Sequence, residues 1–178
     1  MTTPANSILY MAAAAVFACV AAASDLKTRR IPNKLTATAL MSAALLHLVG
    51  GGGRGLADSL AAAAIAGGAF VIPFFLGAMG GGDVKLMAAI AAFGGLGRLA
   101  DLMIATALSG GALALVVALR HGYLRNILLR FAQSCAVMLR IPVVPPPVAD
   151  SERRIFLPYG VAIAAGSLVT FCMGVMQP

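Results

Sequence analysis

The sequence predicts an all-α, polytopic integral membrane protein: about six transmembrane helices and one cytoplasmic amphipathic helix, in a single membrane-embedded domain over residues 1–178. Three observations carry this expectation. Hydrophobic residues make up 61% of the chain and charged residues 11%, against roughly 45–50% and about 25% in soluble domains. The mean hydropathy is +0.95, more apolar surface than a globule of this size can hide. The apolar residues also occur in runs long enough to cross a bilayer.

The first run, Ser7 to Ser24, has eight alanines among its 18 residues. Its Ala-Ala-Ala-Ser end resembles a signal-peptide cleavage site. However, no basic side chain precedes the run, whereas Lys27, Arg29, Arg30 and Lys34 follow it, so it reads as a membrane span with its amino end outside. A second run, Leu35 to Val49, leads outward into Gly50–Gly53, read as a flexible stretch. Leu60 to Met79 returns, with Pro73 expected to kink or break it. The fourth run, from about Val84 to Gly97, is short. Leu102 to Leu119 is the fifth, and the sixth runs from Ile155 or Leu157 to Met176. Six crossings put eleven Lys and Arg residues inside and only Arg54 and Arg98 outside, and the opposite topology would invert this bias. Both termini are then external. The net charge of +7 is accounted for by topology, with no nucleic-acid partner implied.

Residues 120–155 form the long connection. Leu124, Leu128, Phe131, Cys135 and Met138 recur at helical spacing with Arg130, Gln133, Ser134 and Arg140 mostly on another face, as in a basic helix lying on anionic lipid over residues 120–140. Pro142 and Pro145–Pro147 end it. Cys19, Cys135 and Cys172 form no CxxC pair, and His47 and His121 have no ligand spacing. No metal or cofactor is expected, and the histidines read as structural or incidental.

A charge at a span centre costs about 2.5–3.5 kcal/mol, and none of the runs carries one. The acids lie at span ends or in connections: Asp58 and Asp101 outside, Asp150 and Glu152 in the proline-rich connection, Asp25 and Asp83 at inner ends. Two spans separate Asp25 from Asp83, so both return to one face, and packing the first span against the fourth would join them. Each could instead simply terminate a helix, Asp83 as an N-cap and Asp25 by pairing with Lys27 or Arg29. Gly80-Gly81-Gly82 ahead of Asp83 is costly in a helix but permits positive φ and close backbone approach, as an extended peptide would need.

Gly80-Gly81-Gly82-Asp83-Val84-Lys85-Leu86 resembles the GxGDxKL motif of type IV prepilin peptidases, which are GxGD aspartyl proteases. Asp25-Leu26-Lys27-Thr28-Arg29-Arg30-Ile31-Pro32-Asn33 is similar to their first aspartate motif, and Leu157-Pro158-Tyr159-Gly160-Val161-Ala162-Ile163 to the element that opens their last span. The resemblance implies a membrane-embedded aspartic endopeptidase with Asp25 and Asp83 as its catalytic pair. Gly80, Gly82, Lys85, Lys27, Arg29, Pro32, Asn33, Pro158, Tyr159 and Gly160 would be supporting or substrate-binding residues. Its substrate would be a prepilin, a short polar leader followed by an apolar helix, cleaved after a glycine at the cytoplasmic face of a bacterial inner membrane. Components of pilus assembly would be further partners.

Without a CxxC-bearing methyltransferase region, the plan looks like the short Tad/Cpa-type enzymes that process Flp pilins, with no N-methyltransferase activity expected. Two nearby carboxyls can share a proton and so supply both the base and the acid of peptide hydrolysis. Asp83, at a helix start, is expected to be the more ionised. Other GxGD proteases, of the preflagellin or signal-peptide peptidase kind, and a small ion-coupled transporter using the two aspartates are the alternative readings.

Overall fold

A computed structural model describes residues 4–76, 79–120 and 159–176. They are almost wholly helical, in four helices: α1 (Pro4–Thr28), α2 (Asn33–Phe75), α3 (Gly81–Arg120) and α4 (Tyr159–Met176). All four are long and apolar enough to cross a membrane. The chain divides into two compact units, residues 1–110 with 158–178, and residues 111–157. The first unit contains α1, α2, most of α3 and α4, and with them Asp25 and Asp83. The expected amphipathic helix at 124–138 lies outside the described residues.

The six hydrophobic runs thus map onto four hydrogen-bonded helices, because two helices each contain two runs. A continuous α2 of 43 residues would be about 65 Å long, twice the ~30 Å of bilayer hydrocarbon. Instead, α2 is broken at Gly52 (φ 60°, ψ −150°) and α3 at Gly95 (φ 61°, ψ −172°). Only glycine reaches such dihedrals without a Cβ penalty. Cross-helix contacts establish the directions of the halves. Ile31 meets Gly82 and His47 meets Phe93, so the first half of α2 runs parallel to the start of α3. Ser59 meets Ala92 and Gly67 meets Ala88, so its second half runs the other way. In the same manner Thr106 packs on Gly166 and Gly110 on Ala162, making the second half of α3 antiparallel to α4. Both long helices therefore fold back on themselves.

The glycine stretch read as flexible is more sharply defined than expected: Gly50, Gly51 and Gly53 are helical and Gly52 alone makes the reversal. Pro73 lies inside α2 with no backbone break at it, and the helix ends just beyond, where the Leu76 N–H bonds Ile72 O at 3.1 Å.

Small residues let these helices approach closely. Ala14, Ala18 and Ala21 form one fully buried stripe of α1, facing a core that includes Ala39, Ala43, Ala66, Leu86, Met87, Ile90 and Ile163. Phe17 and Phe93 stack at 5.7 Å. Outward positions such as Leu9, Val16, Leu45, Ile65, Ile104 and Leu108 are exposed and apolar, as lipid-facing surfaces are. α1 also packs along α4, which brings residues 25 and 160 together.

Candidate active site

Four chain segments meet at one end of this bundle: the last turn of α1, the start of α2, the start of α3 and the start of α4. Asp25 lies one turn before the end of α1 and is half-buried. Asp83 lies in the first turn of α3 and is 9% exposed. The carboxylates, 58 positions apart in sequence, are close enough to act on one another electrostatically.

Each carboxylate accepts one amide hydrogen bond. Gly80 N–H donates to Asp83 Oδ2 at 3.0 Å, while Asp83 N–H donates to Gly80 O at 3.1 Å; Asp83 is thus not the N-cap but the third helical residue, reaching back to the amide before the helix. Asp83 Oδ1 is buried with no protein partner. Asp25 Oδ2 accepts from Gly160 N–H at 3.2 Å. Asp25, in the last turns of α1, is thereby tied to the amino end of α4.

The described residues expected to support this pair lie on the segments that carry it or adjoin it. Gly80, Gly81 and Gly82 do not use positive φ, which among the described residues occurs only at Arg29, Gly52 and Gly95. Their role is close approach. A Cβ on Gly82 would lie 3.2 Å from Ile31 Cβ, and one on Gly80 would lie 3.3 Å from Asp83 Oδ2. Lys85 Nζ donates to Asn33 Oδ1 at 2.9 Å. Arg29, in the left-handed region at φ 52°, closes α1 by donating its N–H to Asp25 O at 2.8 Å, a cap position that usually falls to glycine. Pro32, with φ −63° and ψ 132°, precedes the first turn of α2, and Leu35 N–H bonds its carbonyl at 3.0 Å. Lys27 is exposed in the last turn of α1. Tyr159, partly buried at the start of α4, lies within electrostatic reach of Asp83. Pro158 lies outside the described residues.

Sequence reasoning gave Ser24 no role, and assigned none to Thr28 or Ile31 beyond their place in the first aspartate motif. The Ser24 hydroxyl donates to Arg30 O at 3.1 Å, the Thr28 hydroxyl lies between Ser24 O at 2.9 Å and Arg30 O at 3.1 Å, and Ile31 packs where Gly82 has no side chain. Hydroxyls before a basic turn offer no pattern that distinguishes this use from ordinary solvation. His47, left as structural or incidental, is buried at the opposite end of the bundle, with its ring 4.8 Å from that of Tyr10 and Nε2 3.0 Å from Phe93 O. A cavity of about 610 Å³ lies there, lined among others by Tyr10, His47, Arg54, Asp58 and Arg98, remote from both aspartates of the pair. Among the described residues no three His, Cys, Asp or Glu side chains are grouped to hold a metal ion.

A sequence model of the type IV leader peptidase family matches residues 12–116, a span holding Asp25, Asp83 and the connector between α1 and α2. No curated protein and no solved structure matches the chain.

Proposed function

Because the chain belongs to the type IV leader peptidase family, we propose that it is an aspartic endopeptidase that removes the short leader from Flp-type prepilins, with Asp25 and Asp83 as its catalytic pair. The observation that carries this reading is the convergence of these two carboxyls, from different helices, beside a glycine-lined turn. In the proposed reaction the ionised carboxyl of the pair takes a proton from water as its oxygen attacks the scissile carbonyl carbon. The protonated carboxyl gives its proton to the carbonyl oxygen, forming a gem-diol. Collapse of the diol returns one hydroxyl proton to the carboxylate that had protonated the carbonyl oxygen, and breaks the C–N bond as the leaving nitrogen receives the proton taken from water. Gly160 N–H and Gly80 N–H hold one oxygen of each carboxyl, leaving the other available for the shared proton or for water.

The reversals at Gly52 and Gly95 support six membrane crossings made by four helices. Lys27, Arg29, Arg30, Lys34 and Lys85 cluster at the end bearing the two aspartates, while Arg54 and Arg98 line the cavity at the other. This favours a cytoplasmic active site, in the inner membrane of a bacterium, with the amino end of α1 external. From Gly81 to Gly94 the first half of α3 spans only about 20 Å, shorter than the hydrocarbon layer. Asp83 would then sit at or just below the inner boundary, where an apolar pilin helix gives way to its polar leader. Anionic lipid at residues 120–140 and pilus-assembly components complete the proposed partners. Co-expression with a tagged Flp-type prepilin tests the whole reading: wild type matures the precursor, whereas Asp25→Asn and Asp83→Asn each leave it uncleaved. Unchanged maturation in either variant rejects the aspartic mechanism.

A further inference from the structure

The two aspartates sit on helices with no short covalent link between them, so something must hold their separation. The α1–α2 connector is fastened on both sides. Toward Asp25, Arg29 N–H bonds the carbonyl of Asp25 itself at 2.8 Å, and the Ser24 hydroxyl holds Arg30 O at 3.1 Å. Toward Asp83, Ile31 packs on Gly82, the residue just before it, and Asn33 Oδ1 accepts from Lys85 Nζ, two residues after it, at 2.9 Å.

We propose that the Lys85–Asn33 hydrogen bond is a positioning clamp that, with the Ile31–Gly82 contact, sets the spacing of the Asp25–Asp83 pair. Lys85 and Asn33 are positioning residues, and the ammonium of Lys85 serves the connector rather than the substrate. The inference rests on the proposed peptidase reading. Both residues are exposed, so the bond does not hold the bundle together; its effect is local. An ammonium only donates, so the Asn33 amide must present its oxygen. A carboxylate at position 33 would therefore preserve the contact as a charge-assisted bond, and a leucine of similar size would abolish it. The same chemistry separates the clamp from a surface lysine that attracts an anionic group on the substrate, since that lysine would be indifferent to residue 33.

The test uses the purified full-length chain in lipid nanodiscs with a synthetic prepilin segment, measuring kcat, KM and amide hydrogen exchange. Asn33→Leu and Lys85→Met are each expected to lower kcat about tenfold, the scale of a sub-ångström misplacement of reacting groups, with KM little changed. The double variant should be no worse than either single variant, because both remove the same bond. Asn33→Asp should recover kcat to within about threefold of wild type. Exchange at the Arg29 and Leu35 amides should quicken equally in both single variants and in the double. Losses that multiply in the double variant, losses confined to KM, or connector exchange unaltered by Asn33→Leu would each overturn the clamp. If wild type fails to cleave, or Asp25→Asn still cleaves, the peptidase reading fails instead, and the exchange data alone decide whether the clamp exists.

Discussion

Adding one methyl group at Gly160 discriminates sharply between a catalytic and a merely structural role for the start of α4. A Cβ there would lie 3.0 Å from Asp25 Oδ2 and 3.1 Å from Asp25 Cβ, inside the ~3.5–4.0 Å of favourable carbon–carbon contact. Asp25 must retreat by about 0.5 Å, and its 3.2 Å bond from Gly160 N–H must lengthen. A 1 Å displacement of reacting groups costs about 100-fold, so half of it predicts roughly a tenfold fall in kcat, or about 1.4 kcal/mol. Helix propensity acts in the opposite direction, since alanine in place of glycine favours a helix by up to about 1 kcal/mol. Gly160→Ala should therefore unfold no more readily than wild type while cleaving about tenfold more slowly, with KM nearly constant. Steady-state cleavage of a prepilin segment, paired with unfolding by denaturing detergent, measures both. Wild-type kcat in a folded Gly160→Ala variant would refute the claim that Asp25 is held against this amide for catalysis.

At Arg29, φ 52° costs a side-chain-bearing residue about 1–2 kcal/mol; Arg29→Gly should be at least as stable as wild type, and Arg29→Val clearly less so, in the same unfolding assay. Gly95→Ala combines a left-handed backbone with a collision against the Asp58 carboxylate, which also accepts from Leu96 N–H at 3.3 Å. The loss should reach about 2 kcal/mol or more. His47→Leu removes the partner of the buried Phe93 carbonyl and should cost about 1–3 kcal/mol. Its kcat per folded molecule should stay at the wild-type level, because the site lies at the other end of the bundle.

Much was legible in the chain before any coordinates. Lipid-facing helices follow from composition, because backbone polar groups in hydrocarbon must be satisfied within the segment and long apolar runs have few alternatives to helix. Asp25 and Asp83 stood out because all other acids fell outside or in the proline-rich connection. The direction of the Gly160 amide, the Ile31–Gly82 contact and the Lys85–Asn33 bond were not legible. Each joins residues far apart in the chain, and local sequence carries no term for the partner. Gly52 and Gly95 show the same limit at the level of architecture. Both stand in glycine-containing stretches, and nothing local marks Gly52 or Gly95 from its glycine neighbours; at Gly95 the close packing of Asp58 and His47 leaves no room for a side chain.

The order of residues by itself determined a helical membrane protein with no acid at the centre of an apolar run, since hydropathy and the cost of buried charge are properties of each segment alone. Only the tertiary structure decided that Asp25 receives an amide from α4 and that the α1–α2 connector is fastened beside both carboxyls. Those facts depend on distances between helices, which small residues such as Ala14, Ala18, Ala21 and Gly82 permit and the packing of the whole bundle selects.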